Sequence, residues 1–469
     1  MTTPRVTVYI PSHNYGKYLD RSIGSVLSQS LDDWELIVID DGSTDNTLET
    51  LQKYRANPKI RIVEQENRGL NVSNNIAIRL ATGRYVMRLD ADDYLDENIL
   101  TVLSSVLDRM PDVGLVYPDY YIVNDREEIV EIVRRKKIGE EDEMLDLPAH
   151  GACTMVRRDL LLAAGGYSED FTCQDGYDLW LKMTARHRPY NVNVPLFYYR
   201  QHGANLTRGQ KRLLDTRGRI KRKFVEGHLN GERPKVLGLV LAVGRSVYPQ
   251  SEPFVELAGQ PLLWHTLTYA KQAQSLDRLV VSSEDARVLE YSAGFEGVEA
   301  IKRSDELTSA TARTEAVAQE VLAHLKGRDG YRPDAVCILF VNTPMRRAEH
   351  IDRAVDALTI FKADSVISVQ EELSQLFRHR KHGLALVNKT HAELRLEREA
   401  LYRGNGAIHL SRTEVLESGR LLGTRVGHIV MLPEESIKIH NEFDLWMAER
   451  ILAEWPASTP SPAMGTPTT

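Results

Sequence analysis

The stretch Leu36-Ile-Val-Ile-Asp-Asp-Gly-Ser-Thr-Asp-Asn-Thr47 decides the fold of the first half of this chain. Its first four residues are a continuous apolar run, which is typical of a strand buried on both faces of a parallel sheet. An amphipathic helical pattern precedes it, with apolar residues from Leu19 to Leu27 on one face. A second helix is predicted to begin from Ser43, a good N-cap residue. The stretch therefore predicts one strand of an α/β sheet whose carboxyl end carries two aspartates.

Strands alternate with helices on both sides of this stretch. Further strands are predicted at residues 6–10, 60–63 and 85–89, and a helix at residues 72–80. The second half repeats the alternation, with strands at residues 236–241, 279–282, 335–340 and 365–369 and a helix at 351–361. Such alternation predicts α/β domains with mostly parallel sheets flanked by helices.

The length of 469 residues is too great for one ordinary core and predicts more than one domain. The predicted boundaries are 1–208 for the first domain, 209–234 for a basic helical or linker segment and 235–455 for the second domain. Gly, Asn and Pro cluster at the end of the connector. Residues 456–469, rich in Pro, Ser and Thr, are predicted to form a disordered tail.

Composition excludes several classes of protein. A formal net charge of −7 argues against a nucleic-acid partner, because phosphate binding needs a concentrated positive face. The three cysteines, Cys153, Cys173 and Cys337, have no metal-ligand spacing and predict no disulfide framework. The sequence begins almost at once with a strand pattern, and no apolar run approaches the roughly 20 residues that span a bilayer. A cytoplasmic protein without a signal peptide or transmembrane segment is predicted, and peripheral contact with the inner membrane stays open.

Acidic residues follow two of the predicted strands. Asp40 and Asp41 end one strand, and Asp90-Ala-Asp-Asp93 follows another. Ligands of open α/β sheets collect at the carboxyl ends of the strands, so these carboxylates should share one crevice. A divalent cation such as Mg²⁺ or Mn²⁺ would relieve their repulsion and could bind a diphosphate leaving group. For Asp40 and Asp41 alone, helix capping explains the acids equally well; both clusters together favour a metal site.

Residues 6–207 resemble the family 2 glycosyltransferases, which have a GT-A fold. The resemblance rests on four ordered motifs, which together are specific. These are Val8-Tyr-Ile-Pro-Ser-His-Asn14, the stretch from Leu36 to Thr47, Gly83-Arg-Tyr-Val-Met-Arg-Leu-Asp-Ala-Asp-Asp93, and Gly165-Gly-Tyr with Gln174-Asp-Gly-Tyr-Asp-Leu-Trp180. The resemblance implies an inverting, metal-dependent hexosyl transfer from a nucleotide-sugar donor to a glycan or glycoconjugate acceptor.

The resemblance also implies roles for single residues. Pro11, His13 and Asn14 would line the nucleotide pocket, and Asp41 would contact the base or ribose. Asp90 and Asp92 match the DxD element, in which Asp92 would be the main ligand of Mn²⁺ or Mg²⁺, with Asp93 as support. Asp175 matches the general base, although Gln174 precedes it where the family usually has Glu. His202 matches a residue that can complete the metal shell; an ordinary polar loop position is an equal alternative.

Residues 236–455 resemble the cytidylyltransferases that make CMP-sialic acid. The matching text includes Leu257-Ala-Gly-Gln-Pro-Leu262, Arg278-Leu-Val-Val-Ser-Ser-Glu-Asp285 and Tyr402-Arg-Gly-Asn-Gly-Ala-Ile408. The resemblance implies a second Rossmann-like nucleotide-diphospho-sugar-transferase domain in tandem with the first. Its candidate site residues are Arg245, Arg303, Arg346, Arg403, Asn405 and Lys438.

The second half departs from that family at its phosphate and metal motifs. In the loop at residues 242–253 only Arg245 remains as a cation, and Glu252 stands where Lys is expected. Lys438 and His440 occupy the positions of two metal-binding aspartates, and a protonated Lys cannot ligate a hard cation. The domain is therefore predicted to be inactive or repurposed. Direct phosphate binding by Arg245 and Lys438 without metal is the alternative for this loop.

Two other readings of the whole chain stay open. One is a bifunctional enzyme that also activates an acidic sugar with CTP; the other is a non-catalytic glycan-binding scaffold. Retention of the three acids Asp90, Asp92 and Asp175 counts against the scaffold. The resemblance further implies a bacterial polysaccharide-biosynthesis context and a homodimer formed through the second domain.

Overall fold

The computed structural model describes residues 3–134, 151–171, 173–201, 210–229, 233–308, 312–372, 374, 376–380, 383–387 and 401–454. The chain divides into two compact units, the first unit Met1–Phe224 and the second unit Val225–Thr469. The tail predicted at residues 456–469 lies outside the described residues. No helix in the described ranges is long and apolar enough to cross a membrane.

The first unit alternates strands and helices as predicted. Its strands β1–β9 are Val6–Ser12, Trp34–Asp41, Ile60–Gln65, Tyr85–Arg88, Tyr94–Leu95, Val113–Val123, Ile129–Val133, Met155–Arg157 and Arg188–Arg200. Its helices α1–α6 are Gly16–Leu27, Thr47–Gln52, Leu70–Leu80, Ile99–Arg109, Arg158–Ala163 and Asp175–Thr184, and α7, Gln210–His228, contains the boundary between the units. The segment predicted as a basic helical or linker segment, residues 209–234, is largely a 19-residue helix.

Parallel pairing of β1 on both sides positions the candidate site. The sheet order is β3-β2-β1-β4-β8-β6-β9-β5, with β7 paired to β6. Strands β3, β2, β1 and β4 are parallel, and β8 runs antiparallel between β4 and β6. One face of this sheet packs Val8, Ile10, Leu36 and Val38 into a core in which they have no exposed surface, and the other face packs Tyr9, Ile37 and Ile39 into a second core. The carboxyl ends of β1, β2 and β4 therefore meet at one edge, and the predicted α/β class is confirmed.

The helix predicted from Ser43 begins four residues later. Helix α2 starts at Thr47 after Asn46, so the prediction of Ser43 as its N-cap was wrong. The Ser43 hydroxyl oxygen instead accepts a hydrogen bond from the backbone N–H of Asn14, at 2.9 Å. The Ser43 hydroxyl therefore joins two loops of the folded chain and does not cap α2.

The second unit repeats the strand order of the first. Its strands β10–β20 are Val236–Leu241, Glu256–Leu257, Gln260–Pro261, Arg278–Ser283, Val298–Lys302, Ala335–Phe340, Ser365–Glu372, Phe377–Arg380, Gly383–Leu386, Leu401–Arg412 and Val426–Val430. Its helices α8–α13 are Leu262–Gln272, Ala286–Ala293, Thr314–Asp329, Ala348–Ile360, Thr413–Glu417 and Glu442–Glu454. The main sheet has the order β14-β13-β10-β15-β19-β16-β20, and its first four strands are parallel. In each main sheet the first strand of the unit therefore lies between two parallel neighbours, β2 and β4 around β1 and β13 and β15 around β10.

The approach of Gly83 to β1 gives a test of this packing. A Cβ on Gly83 would lie 2.5 Å from the backbone nitrogen of Thr7, whereas a Cβ on Gly24 in α1 would meet nothing within 4 Å. We expect Gly83→Ala to lower the free energy of unfolding by about 1–3 kcal/mol through overpacking against backbone. Gly24→Ala is the matched control and should raise it by up to about 1 kcal/mol, since alanine favours the helix. Equal urea midpoints for the two variants would contradict this packing.

Candidate functional site

Polar side chains join the loops that follow β1 and β2. The His13 Nδ1 lies 2.8 Å from the backbone oxygen of Asp41, so this nitrogen carries the proton and donates. The Asn14 Oδ1 accepts from the backbone N–H of Thr44, at 2.7 Å, and Asn14 has a positive φ of 61°. His13 is half-buried and Asn14 is exposed, whereas Pro11 lies buried within β1. The two loops thus form one connected surface with polar groups facing solvent.

The Asp41 carboxylate is committed to the protein itself. Its Oδ1 accepts from the Gln65 Nε2 at 2.6 Å and from the Arg68 N–H at 2.8 Å, and its Oδ2 accepts from the Gly69 N–H at 2.8 Å. Asp41 is only 4% exposed. The carboxylate therefore ties β2 to the turn before α3, and little of it is left to face a nucleotide. Its predicted contact with a base or ribose stays a prediction.

The acidic cluster after β4 is held by two buried arginines. The Arg88 Nε donates to the Asp90 Oδ1 at 2.6 Å. The backbone N–H of Arg200, at the end of β9, donates to the Asp93 Oδ1 at 2.9 Å, and its Nε donates to the backbone oxygen of Asp92 at 3.0 Å. Arg200 and Asp93 are buried, while Asp90 and Asp92 are partly exposed. The cluster thus presents Asp90 and Asp92 at the surface and Asp93 behind them.

Negative charge accumulates at this point. Burial, together with the charges of Asp92 and Asp90, raises the pKa of the Asp93 carboxyl well above its usual range. Burial and the same two charges raise the pKa of the Tyr15 phenol. Tyr15 follows Asn14 directly, so the acidic cluster and the loop after β1 are neighbours. A bound cation would offset the repulsion that these pKa shifts reflect.

The acidic cluster fits a divalent cation that is shared with a ligand. The Asp93 Oδ2 is buried and has no hydrogen-bond partner among the described residues. Those residues contain no group of three or more His, Cys, Asp or Glu side chains that could hold a metal. Mg²⁺ is usually bound by one or two carboxylates together with substrate phosphates and water, not by a complete protein cage. The carboxylates of Asp90 and Asp92 are donors of that kind.

The segment before α6 places the proposed base at a helix start. Asp175 is the first residue of α6, and Gln174 before it has a positive φ of 58°. The Gln174 Oε1 accepts a hydrogen bond from the Arg217 Nε of α7 at 2.7 Å. The side chain of Asp175 and the whole of His202 lie outside the described residues. Their roles as base and metal ligand stay predictions.

The motifs of the sequence did not point to several residues that hold the site together. The Asn67 Nδ2 lies 3.1 Å from the His13 Nε2, and Gln65 binds Asp41 as described. Both belong to the polar end of β3 and the turn that follows it, and a third parallel strand end should have suggested them. No such indication existed for Arg200. A single arginine at the end of a strand is expected to be exposed to solvent, and only the folded structure shows that this one is buried.

In the second unit, Glu284 after β13 and Glu252 accept hydrogen bonds from backbone N–H groups of the loop after β10. The backbone N–H of Gly244 donates to the Glu284 Oε1 at 2.7 Å, and that of Ser246 donates to the Glu252 Oε1 at 3.4 Å. Backbone N–H groups in such a loop are the donors that a phosphate would use. Arg245 is exposed beside them. Glutamate oxygens thus occupy backbone N–H donors of this loop that a triphosphate would need.

Two of the four candidate arginines of the second unit, Arg303 and Arg346, are buried. Arg303 is 5% exposed and its Nη2 donates to the backbone oxygen of Ser282 at 2.9 Å. Arg346 is 1% exposed, and its Nη1 donates to the Ala407 oxygen at 2.6 Å and to the Thr343 Oγ1 at 3.0 Å. Burial lowers the pKa of Arg346 to about 10. Both side chains therefore join strands and loops of the sheet to each other.

The other candidates in the second unit lie around β19. Asn405 is buried, with its Oδ1 accepting from the Ser368 Oγ at 2.5 Å and its Nδ2 donating to the Ser436 Oγ at 3.0 Å. Arg403 is exposed and donates to the Gln370 Oε1 at 2.8 Å. Lys438 is exposed beside Gly406. Burial of His409 lowers the pKa of its imidazole, and the nearby charge of Lys438 lowers it further. Of these three, Arg403 and Lys438 face solvent.

Several glycosyltransferases are similar to somewhat less than half of the chain. The chondroitin synthases of Escherichia coli and Pasteurella multocida are 28% and 30% identical over 203 and 232 residues, 43% and 49% of this chain. The match spans only 30% and 24% of those two proteins. An Escherichia coli UDP-Glc:α-D-GlcNAc-diphosphoundecaprenol β-1,3-glucosyltransferase is 27% identical over 227 residues, which cover 48% of this chain and 88% of that protein.

Solved structures and family models were also compared with the chain. The crystal structure of Staphylococcus aureus TarS 1–349 aligns with a TM-score of 0.41 at 18% identity, over 48% of this chain and 66% of that one. Residues 7–163 match the model described as glycosyl transferase family 2, and residues 252–447 match the model described as cytidylyltransferase. Both resemblances drawn from the motifs are confirmed. The chain is therefore similar to glycosyl transferase family 2 over residues 7–163 and to the cytidylyltransferases over residues 252–447.

Proposed function

We propose that the first unit is an inverting, metal-dependent glycosyltransferase that moves a sugar from a nucleoside-diphosphate donor to a hydroxyl of a glycan or glycoconjugate acceptor. The observation that carries the proposal is the acidic cluster Asp90, Asp92 and Asp93 at the carboxyl end of β4. It lies within the family 2 region and beside the polar loop that contains His13 and Asn14. A diphosphate and a cation would fill a site of this charge.

The polar loops after β1 and β2 support a nucleoside on that side of the site. His13 and Asn14 are fixed by the hydrogen bonds to Asp41 and Thr44, so their solvent-facing groups are pre-oriented. Pre-oriented polar groups bind with a smaller loss of side-chain entropy. Asp41 would act from behind, by holding the turn at residues 65–69 against this surface. The Escherichia coli relative that uses UDP-glucose makes a UDP-sugar the first donor to test.

The acidic cluster supports Asp92 as the main metal ligand. The Arg88 guanidinium engages the Asp90 Oδ1, and Asp92 presents a partly exposed carboxylate at the carboxyl end of β4, where a cation could reach it. Asp93 adds charge from behind and is itself held by the Arg200 N–H. A Mn²⁺ or Mg²⁺ ion at Asp92 would neutralise the charge that grows on the departing nucleoside diphosphate.

The start of α6 supports Asp175 as the base. In the proposed reaction the acceptor oxygen forms a bond to the anomeric carbon while the bond from that carbon to the diphosphate oxygen breaks. The acceptor proton passes to the Asp175 carboxylate, which must lie within hydrogen-bond reach. Attack from the side opposite the leaving group inverts the anomeric centre. The family 2 model ends at residue 163, so Asp175 is assigned from its motif alone.

For the second unit we infer a role other than CTP turnover. Glu252 and Glu284 support this inference. They accept hydrogen bonds from backbone N–H groups of the loop after β10 that a triphosphate would need, and their negative charges would repel a triphosphate. Arg303 and Arg346 are engaged inside the fold. Acceptor positioning or homodimer formation remains the role predicted for this unit, and the cytoplasmic location of the chain also remains a prediction.

The metal assignment predicts the effect of Asp92→Ala. We expect turnover of the nucleotide sugar to fall on the order of 100-fold or more, since several kcal/mol of charge stabilisation on the leaving group are lost. The Mn²⁺-dependent rise in melting temperature with UDP should disappear as well. Asp32→Ala, at an exposed position before β2, is the control and should behave as wild type. Transfer at the wild-type rate by Asp92→Ala would disprove the proposed site.

The base assignment predicts a different pattern for Asp175→Asn. General base catalysis contributes about 100- to 10,000-fold, so kcat should fall by at least about 100-fold. The dissociation constant for the donor, measured by calorimetry, should stay unchanged because the donor side of the site is intact. Weakened donor binding with normal kcat would instead place Asp175 on the donor.

Because glutamates occupy backbone donors of the loop after β10, we predict that CTP does not stabilise the second unit. With Mg²⁺ and millimolar CTP, we expect the melting transitions of the full chain to stay where they are. A ligand at about 100 times its dissociation constant would stabilise by about 2.7 kcal/mol, which a melting curve detects readily. UDP with Mn²⁺ is the positive control. A CTP-dependent shift that Arg245→Ala abolishes would revive the bifunctional enzyme.

A further inference from the structure

The segment that leads into α6 is fixed by α3 on one side. The Asn71 Nδ2 donates to the backbone oxygens of Ser168 and Phe171, at 2.8 and 2.7 Å. The Asn75 side chain exchanges two hydrogen bonds with the backbone of Tyr167, both at 2.9 Å. Asn71 and Asn75 are buried, so residues 167–171 are anchored from inside the first unit.

Helix α7 holds the same segment from the other side. The Lys223 Nζ donates to the Ser168 Oγ at 2.9 Å and pairs with the Asp170 carboxylate. The Cys173 Sγ donates to the Thr216 Oγ1 at 3.2 Å. Nearest to α6, the Arg217 Nε donates to the Gln174 Oε1 at 2.7 Å. Four residues of the segment, Ser168, Asp170, Cys173 and Gln174, therefore contact a helix in the part of the chain that was predicted as a basic helical or linker segment.

The contact to Gln174 constrains the start of α6. A left-handed conformation costs a residue other than glycine about 1–2 kcal/mol, and Gln174 adopts one with φ 58°. Such a conformation persists where the surrounding structure determines it. The Arg217 guanidinium also lies 5.2 Å from the ring centroid of Tyr177, which is 2% exposed. Arg217 thus contacts the residue before Asp175 and the residue two positions after it.

We propose that Arg217 is a positioning residue for the base Asp175, acting through Gln174 and Tyr177, and that α7 is part of the transferase site. This inference rests on the proposed function of the first unit. The side-chain oxygen of Gln174 is the acceptor in this contact. An amide oxygen accepts the Arg217 N–H as a carboxylate would, but places no second negative charge beside Asp175.

Kinetics of three variants of the full chain test the proposal. Arg217→Gln removes the guanidinium with its charge and its contact to Tyr177, Gln174→Ala removes the acceptor, and Gln174→Glu keeps an acceptor oxygen. We expect the first two to lower kcat on the order of 10- to 100-fold, as misplacement of a reacting group does, with the donor dissociation constant unchanged. Gln174→Glu should retain most of the wild-type kcat. Lys211→Gln, which removes one charge near the start of α7, is the control and should act as wild type.

Combining the changes separates positioning from a general loss of packing. Because Arg217 acts through Gln174, the double variant Arg217→Gln/Gln174→Ala should turn over no more slowly than Arg217→Gln alone. Multiplied effects, or a rise in the donor dissociation constant with normal kcat, would overturn the proposal. If Arg217→Gln fails to fold, Gln174→Ala alone must still show the loss of kcat.

Asp175→Asn, assayed beside these variants, shows which proposal has failed. The assay follows nucleoside diphosphate released from UDP-, GDP- or dTDP-glucose with Mn²⁺, with GlcNAc-diphosphoundecaprenol as acceptor. If wild type transfers, Asp175→Asn does not, and Arg217→Gln equals wild type, the positioning role is wrong and the transferase stands. If Asp175→Asn transfers normally, the assigned base is wrong and the positioning role falls with it.

Discussion

Parallel pairing of β1 with β2 on one side and β4 on the other is the constraint on which the first unit depends. It brings the ends of three strands to one edge of the sheet, and with them His13, Asp41 and the acidic cluster. Carboxylates gathered this way repel one another, and burial makes the repulsion stronger. The protein accepts this cost at the acidic cluster and offsets part of it with Arg88 and Arg200. What remains is a site that favours a cation and the phosphates that a cation binds.

The hydrogen bonds around this edge divide the polar residues into two kinds. Asp41, Gln65 and Arg200 hydrogen-bond to each other or to the backbone and so fix the loops; Asp41 and Arg200 are buried and Gln65 is half-buried. His13, Asn14 and Asp92 keep exposed surface and are the groups that a donor could reach. Segment 167–174 follows the same logic, since buried asparagines of α3 and cations of α7 hold it where α6 begins. Rigid support behind a few accessible groups is what positioning of a reaction requires.

The second unit has the strand order of the first with different chemistry at its strand ends. The order β14-β13-β10-β15 matches β3-β2-β1-β4, and each unit has its own hydrophobic cores. Stability of such a sheet comes from apolar burial between strands and helices, so loop residues can change without loss of the fold. Glu252 and Glu284 at the loop after β10 illustrate this, because they satisfy backbone donors that another loop sequence would leave for a phosphate. Similarity of this unit to the cytidylyltransferases and the activity of the unit are therefore separate questions.

The sequence by itself determined the α/β class, the strands around the acidic motifs and the two family resemblances. Apolar runs such as residues 36–39 and ordered motifs are local, and local patterns can be read without a fold. Tertiary structure alone decided which polar groups are occupied: Ser43 serves Asn14 instead of capping α2, and Asp41 serves the turn before α3. It also decided that residues 210–228, read as a connector, form a helix that contacts Gln174. Hydrogen-bond partners distant in sequence leave no periodic signal, so only the folded chain reveals them.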